Sequence, residues 1–177
     1  MKSPPHVPIT APRLSAGFTL VELAVVLAVI VVVFSIAAPA MSEFTANNQV
    51  VSTRSSFSAA VALARSEAVK RSRQVIVQPL SGGSTGNEFA AGWEVVIDED
   101  GDGAAGDTEA RVRRYPALPA ALSLSGPGAL LFRTSGALGS ASDRVYTVCR
   151  SGSPRGYTVT VTPSGLADVA NVDDCGS

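Results

Sequence analysis

Three groups of residues in this chain could do chemistry, and each implies a different kind. The densest is Asp98-Glu99-Asp100-Gly101-Asp102-Gly103, closed by Glu109. Asp98, Asp100, Asp102 and Glu109 occupy the first, third, fifth and twelfth positions of a calcium-binding loop, with glycine at the sixth. Carboxylates so spaced suit a hard cation, and weak calcium binding at these four residues is one expectation. Such a loop also needs helices on both sides, whereas Val95-Val96-Ile97 and Val112 read as strands. A solvated β-hairpin loop, acidic because it turns and dissolves well, is the other expectation. The second group is Cys149 and Cys175, the only cysteines, both in the last fifth of the chain. An even pair suits a disulfide in an oxidising compartment. No second pair exists to complete a zinc site.

The third group is a single carboxylate. From Phe18 to Met41 the only formally charged residue is Glu22. A helical run of that length is long enough to cross a hydrocarbon core. Left at mid-membrane, the carboxylate costs about 2.5–3.5 kcal/mol. An ionisable residue in an apolar helix is a functional-site candidate, with its partner to be found.

Other chemistries are disfavoured by the residue types the chain lacks. His6, the only histidine, precedes the apolar run, so no Ser-His or Cys-His nucleophile can be built from residue 18 onward. No enzyme activity and no cofactor other than calcium are expected. Formal net charge is −1, which gives no general basic field for nucleic acid. From Pro163 to Ser177 there are three acids, Asp168, Asp173 and Asp174, and no Lys or Arg. Since phosphate neutralisation dominates affinity for DNA, nucleic acid is not an expected partner.

The elements that must position these groups can be read in chain order. Residues 1–17 hold Lys2, Arg13, four prolines and no acid, and read as a positively charged leader that stays cytoplasmic. The apolar run is too long for an ordinary secretory signal, and the small residues sit before it, at Ala16-Gly17. Residues 18–41 read as a transmembrane helix, with Pro39 expected to kink it. The helix should continue in water over residues 42–73. Phe57, Val61, Ala64 and Ala68 make an apolar stripe, opposite Arg54, Arg65, Glu67, Lys70 and Arg71. From Gln74 the pattern changes to β-branched runs. Strands are expected at Gln74–Gln78, Trp93–Ile97, Ala110–Tyr115, Leu122–Ser125, Leu130–Phe132, Val145–Cys149 and Tyr157–Thr162.

Gly17-Phe18-Thr19-Leu20-Val21-Glu22-Leu23 resembles the class III signal of type IV pilins and type II secretion pseudopilins. Ala64-Arg65-Ser66-Glu67-Ala68-Val69-Lys70-Arg71, Gly92-Trp93, and Phe132 with Gly136 resemble the GspH/FimT group within that class. The resemblance implies cleavage between Gly17 and Phe18 by a prepilin peptidase, followed by N-methylation of Phe18. It implies that Glu22 neutralises the Phe18 amine of a neighbouring subunit, and that Pro39 belongs to the assembly helix. Partners would be other pilin or pseudopilin subunits and an inner-membrane assembly platform. The location would be the inner membrane, single pass, with the C-terminal domain in the periplasm. The expected fold is α+β and pilin-like: one long helix packed on a small, mostly antiparallel sheet, with residues 74–177 as the β-rich domain. The expected function is that of a minor pilin or pseudopilin in a type II secretion pseudopilus or type IV pilus. The alternative is a membrane-tethered DNA-binding minor pilin for DNA uptake.

Overall fold

The computed structural model describes residues 17–106, 108–153 and 155–175, apart from the side chains of residues 36, 38–40 and 42. Residues 1–16 of the expected leader (1–17) and the side chain of Pro39 thus lie outside the described residues. The elements run α1 (Leu20–Arg71), β1 (Gln74–Pro79), β2 (Trp93–Asp98), β3 (Arg111–Tyr115), β4 (Leu122–Ser125), β5 (Leu130–Phe132), β6 (Arg144–Arg150), β7 (Gly156–Val161) and β8 (Ala167–Val172). The chain divides into two compact units, residues 1–43 and 44–177.

In the first unit, every side chain from Phe18 to Ser35 is exposed, Phe18 at 82% and Leu20 at 85%. A helix that is apolar all round requires burial against something else. Among the described residues no helix is long and apolar enough to cross a membrane. The fully described apolar stretch Leu20–Ser35 rises about 24 Å, short of a ~30 Å hydrocarbon core. The expected anchor over residues 18–41 extends past that stretch.

The second unit is built on the stripe that helical spacing predicts. Phe57, Val61, Ala64 and Ala68 are all buried, joined by Val50 and Ala60. The helix stops at Arg71, and Ser72 takes a left-handed conformation with φ 52°. Glu67, expected on the solvated face, is instead buried and pairs with Arg71 and Lys70.

The β-rich part forms two antiparallel four-stranded sheets rather than the single expected one. Their orders are β3-β2-β1-β5 and β4-β6-β7-β8. In β1 and β2, Val75, Val77, Val95 and Ile97 alternate toward the core, as a half-covered sheet requires. The second sheet contributes Leu122, Leu124, Tyr146, Val148, Val159 and Val161. Phe57 sits where the layers meet, with ring centroids 4.8 Å from Tyr146, 5.4 Å from Phe89 and 5.8 Å from Trp93. Aromatic pairs at such distances add about 0.5–1.5 kcal/mol each beyond burial. Strand β8 is additional to the expected seven; it pairs with β7 from Gly156↔Val172 to Val161↔Ala167.

Candidate functional site

Glu22 lies in the first turn of α1, where a carboxylate favours the positive end of the helix dipole. Its backbone N–H donates to Thr19 Oγ1 at 3.2 Å, and its Oε2 accepts from the Thr19 N–H at 3.5 Å. This reciprocal pair is a capping box, which satisfies two of the helix's orphan donors. It holds the carboxylate against the peptide just after Phe18. Gly17 and Phe18 are both exposed and precede the helix. An exposed Gly17–Phe18 peptide bond, an exposed aromatic ring and an exposed carboxylate thus share the start of one apolar helix.

Cys149 and Cys175 form a disulfide with Cα atoms 5.6 Å apart and a sequence separation of 26. The bridge ties β6 to the segment beyond β8 and passes over the start of β7. Gly156 stands under it. A Cβ there would meet Cys175 Sγ and the Val148 carbonyl oxygen. Glycine is therefore the residue that lets the bridge cross.

The acidic loop joins β2 to β3, strands on both sides. Asp98, Asp100 and Asp102 offer carboxylate oxygens within 4.8 Å of one another. Asp98 is buried and accepts the Gly101 N–H at 2.6 Å and the Gly103 N–H at 3.0 Å. Glu109 lies outside that grouping. Its two oxygens accept the Glu99 N–H at 2.9 Å and the Gly106 N–H at 2.7 Å. The loop's own amides therefore occupy both end carboxylates, closing the turn by backbone hydrogen bonds.

Two arginines of β3 are also engaged. Arg111 Nε pairs with Glu94 Oε2 at 3.1 Å, and the Arg113 guanidinium lies 5.0 Å over the Tyr115 ring. Along the helix, the hydrogen bond from Arg71 holds the Glu67 carboxyl below its ordinary range. Burial pushes the Tyr146 hydroxyl up to about 12, while that hydroxyl donates to the Gly128 carbonyl at 2.8 Å.

Sequence reasoning does not anticipate Phe89, Trp93 and Tyr115 as one aromatic group. Phe89 comes from a segment rich in glycine and serine, where no periodic pattern marks it. Trp93 and Tyr115 stack at 5.0 Å because the register places them directly opposite. An aromatic residue at each strand end is the available signal.

Known proteins share much of this geometry. Residues 53–165 match the family described as type II transport protein GspH, and residues 12–38 match the prokaryotic N-terminal methylation motif. No curated protein matches the chain. Among solved structures, the type IV minor pilin FimU of Pseudomonas aeruginosa superposes with TM-score 0.60 at 22% identity, covering 75% of this chain and 99% of that one. The minor pseudopilin EpsH from the type 2 secretion system of Vibrio cholerae gives TM-score 0.50 at 13% identity, covering 69% and 96%. At these identities the two structures establish the shared fold, α+β and pilin-like. The family match spans more than half of the chain, and the methylation motif covers Gly17, Phe18 and Glu22. This chain belongs to the GspH family of type II transport proteins and is a minor pilin or pseudopilin, a structural subunit of a type II secretion pseudopilus or a type IV pilus.

Proposed function

We propose that the protein enters the bacterial inner membrane through residues 18–41 and is cleaved between Gly17 and Phe18 by a prepilin peptidase. It is then N-methylated on Phe18 and drawn into a filament. Its C-terminal domain, residues 74–177, lies in the periplasm, where a disulfide persists. In the filament Glu22 accepts the Phe18 amine of a neighbouring subunit, and the apolar helices bundle around the axis. The inner-membrane assembly platform and neighbouring pilin subunits are its partners. Pro39 belongs to the helix that assembles.

The observation that carries this reading is the apolar segment from Phe18 to Ser35, helical from Leu20, exposed on all sides and carrying one charge near its start. A carboxylate buried alone is expensive, whereas one paired with a cation is tolerated. Assembly supplies that cation only if cleavage frees the Phe18 amine. Mass spectrometry of the membrane-extracted protein tests the processing step. The expected N-terminal peptide begins at Phe18 and carries one additional methyl group. A mature chain that still contains Ala16 and Gly17 sinks the reading.

Calcium at Asp98, Asp100, Asp102 and Glu109 is a separate proposal, supported by the approach of the first three carboxylates. Calorimetry of the full-length chain at millimolar calcium tests it. Heat that disappears in Asp100→Asn supports a site, and no heat removes it.

A further inference from the structure

Arg65 of α1 is half-buried, and its stem lies against Gly136 and Gly165, both at φ 78°. A Cβ at Gly136 would meet Arg65 Cγ at 3.2 Å, and one at Gly165 would meet its Cδ and Nε at 3.4 Å. The other two arginines of α1 are engaged. Arg54 lies over the Tyr157 ring, and Arg71 pairs with Glu67. Among the described residues, no hydrogen bond, ion pair or aromatic ring reaches the Arg65 guanidinium. It lines a groove of about 640 Å³, walled by residues 58–70 of α1 and residues 165–167 at the start of β8. The lining is chiefly apolar, and Val69 and Leu166 on its border are 53% and 55% exposed. Among the described residues that line it there is no acid, and its other cation, Lys70, faces Glu67 at 3.8 Å. An arginine stem laid along apolar surface with its head unpaired presents a fork matched to a carboxylate.

We propose that this groove docks a helix of a neighbouring filament subunit, one that presents a carboxylate beside large apolar side chains. The inference rests on the chain being a filament subunit and adds where on its folded domain a second subunit seats. Charge complementarity selects the acid, because Arg65 supplies a cation that no group of its own chain neutralises. Val69 and Leu166 receive the apolar neighbours of that acid, in the way an amphipathic helix fills an apolar groove. Ser58, Ala62 and Ser66 stand at i, i+4 and i+8 along ~12 Å of the helix wall. Small side chains on such a ridge let a second helix approach to about 8–10 Å between axes. Duplex DNA is the poorer fit. Its affinity grows with the number of phosphates neutralised, and one unpaired arginine between apolar walls neutralises few.

The test is a photo-cross-link from the full chain in cells, with benzoylphenylalanine in place of Leu166 at the groove's border. Light should join it to another pilin-like subunit, at a helical peptide that carries Asp or Glu within one turn of a large apolar residue. Arg65→Gln keeps most of the stem and removes the charge. It should melt within a few degrees of the parent and lower the cross-link about tenfold. Arg65→Glu should abolish the cross-link, and changing the partner's acid to arginine should restore it. Mass spectrometry of the sheared filaments, read at Phe18, separates this inference from the reading beneath it. A processed chain that is present in filaments but gives no cross-link overturns the docking alone; a chain that never reaches the filament overturns both. A cross-link that Arg65→Gln leaves at the parent level overturns the role of the cation. If that variant instead loses duplex DNA binding at low salt, the groove belongs to phosphate and the proposal falls.

Discussion

Glu67 and Tyr146 tie the domain's stability to pH with opposite signs. The hydrogen bond from Arg71 lowers the Glu67 carboxyl below its ordinary 4.5. Its stabilisation is therefore present above that value and is lost as pH falls through the lower folded value. Melting temperature below pH 4.5 should fall more steeply for the parent than for Glu67→Gln; equal slopes would show that the pair does not couple to folding. Tyr146 has the opposite sign. Its folded value of about 12 exceeds the ordinary 10, so its contribution is full below pH 10 and is lost as pH rises toward 12. An ultraviolet titration of tyrosinate should show a component ionising well above pH 10, toward 12, that Tyr146→Phe removes. Gly156 offers a test of local sterics. Gly156→Ala should leave Cys149 and Cys175 reactive to maleimide, because the new Cβ displaces the bridge. Losing a loop closure of this length costs about 3–4 kcal/mol on the chain-entropy model, or roughly 10 °C in Tm. An intact disulfide in that variant would contradict the geometry.

At the scale of elements, the part of α1 from residue 44 onward is held by its contacts more than by helix propensity. Phe57 touches three other aromatic rings, so Phe57→Ala should cost about 3–5 kcal/mol in chemical denaturation. Ala62→Ser, which lies off the buried stripe, should cost less than about 0.5 kcal/mol. Seven of the strands are legible because β-branched residues cluster between glycine-rich turns, as in Val75-Ile76-Val77 and Val95-Val96-Ile97. Strand β8 is not, because Ala167-Asp168-Val169-Ala170-Asn171-Val172 has weak β-propensity and an exposed face. Its pairing with β7 overrides local preference. The division into two sheets is equally hidden, since strand order depends on long-range pairing that periodicity does not encode. Glu67 is misplaced for a related reason: helical spacing locates the stripe but not how far Arg71 and the surrounding packing cover its edge. The disulfide is legible from cysteine count alone, whereas the need for Gly156 beneath it is not. The sequence places the acidic loop correctly between strands, but its self-capping through Asp98 and Glu109 depends on backbone directions set only by the folded turn.

On the scale of the molecule, two units of opposite character share one chain. Residues 44–177 bury most of their apolar side chains within one core, sealed by a disulfide. Residues 18–35 bury none of theirs. A chain with that asymmetry has its second environment outside itself, and membership of a family of pilin-like subunits names the kind of environment. In the proposed assembly Glu22 sets the terms of entry, because in an apolar bundle a carboxylate must find a cation. The most direct measurement is incorporation of Glu22→Ala into filaments sheared from cells, compared with Glu22→Asp and with the parent chain. Glu22→Ala should be inserted in the membrane and processed at Phe18 yet be absent from the filament fraction, with Glu22→Asp partly restored. Filaments that contain Glu22→Ala at the parent level would contradict the pairing of Glu22 with a neighbour's amine.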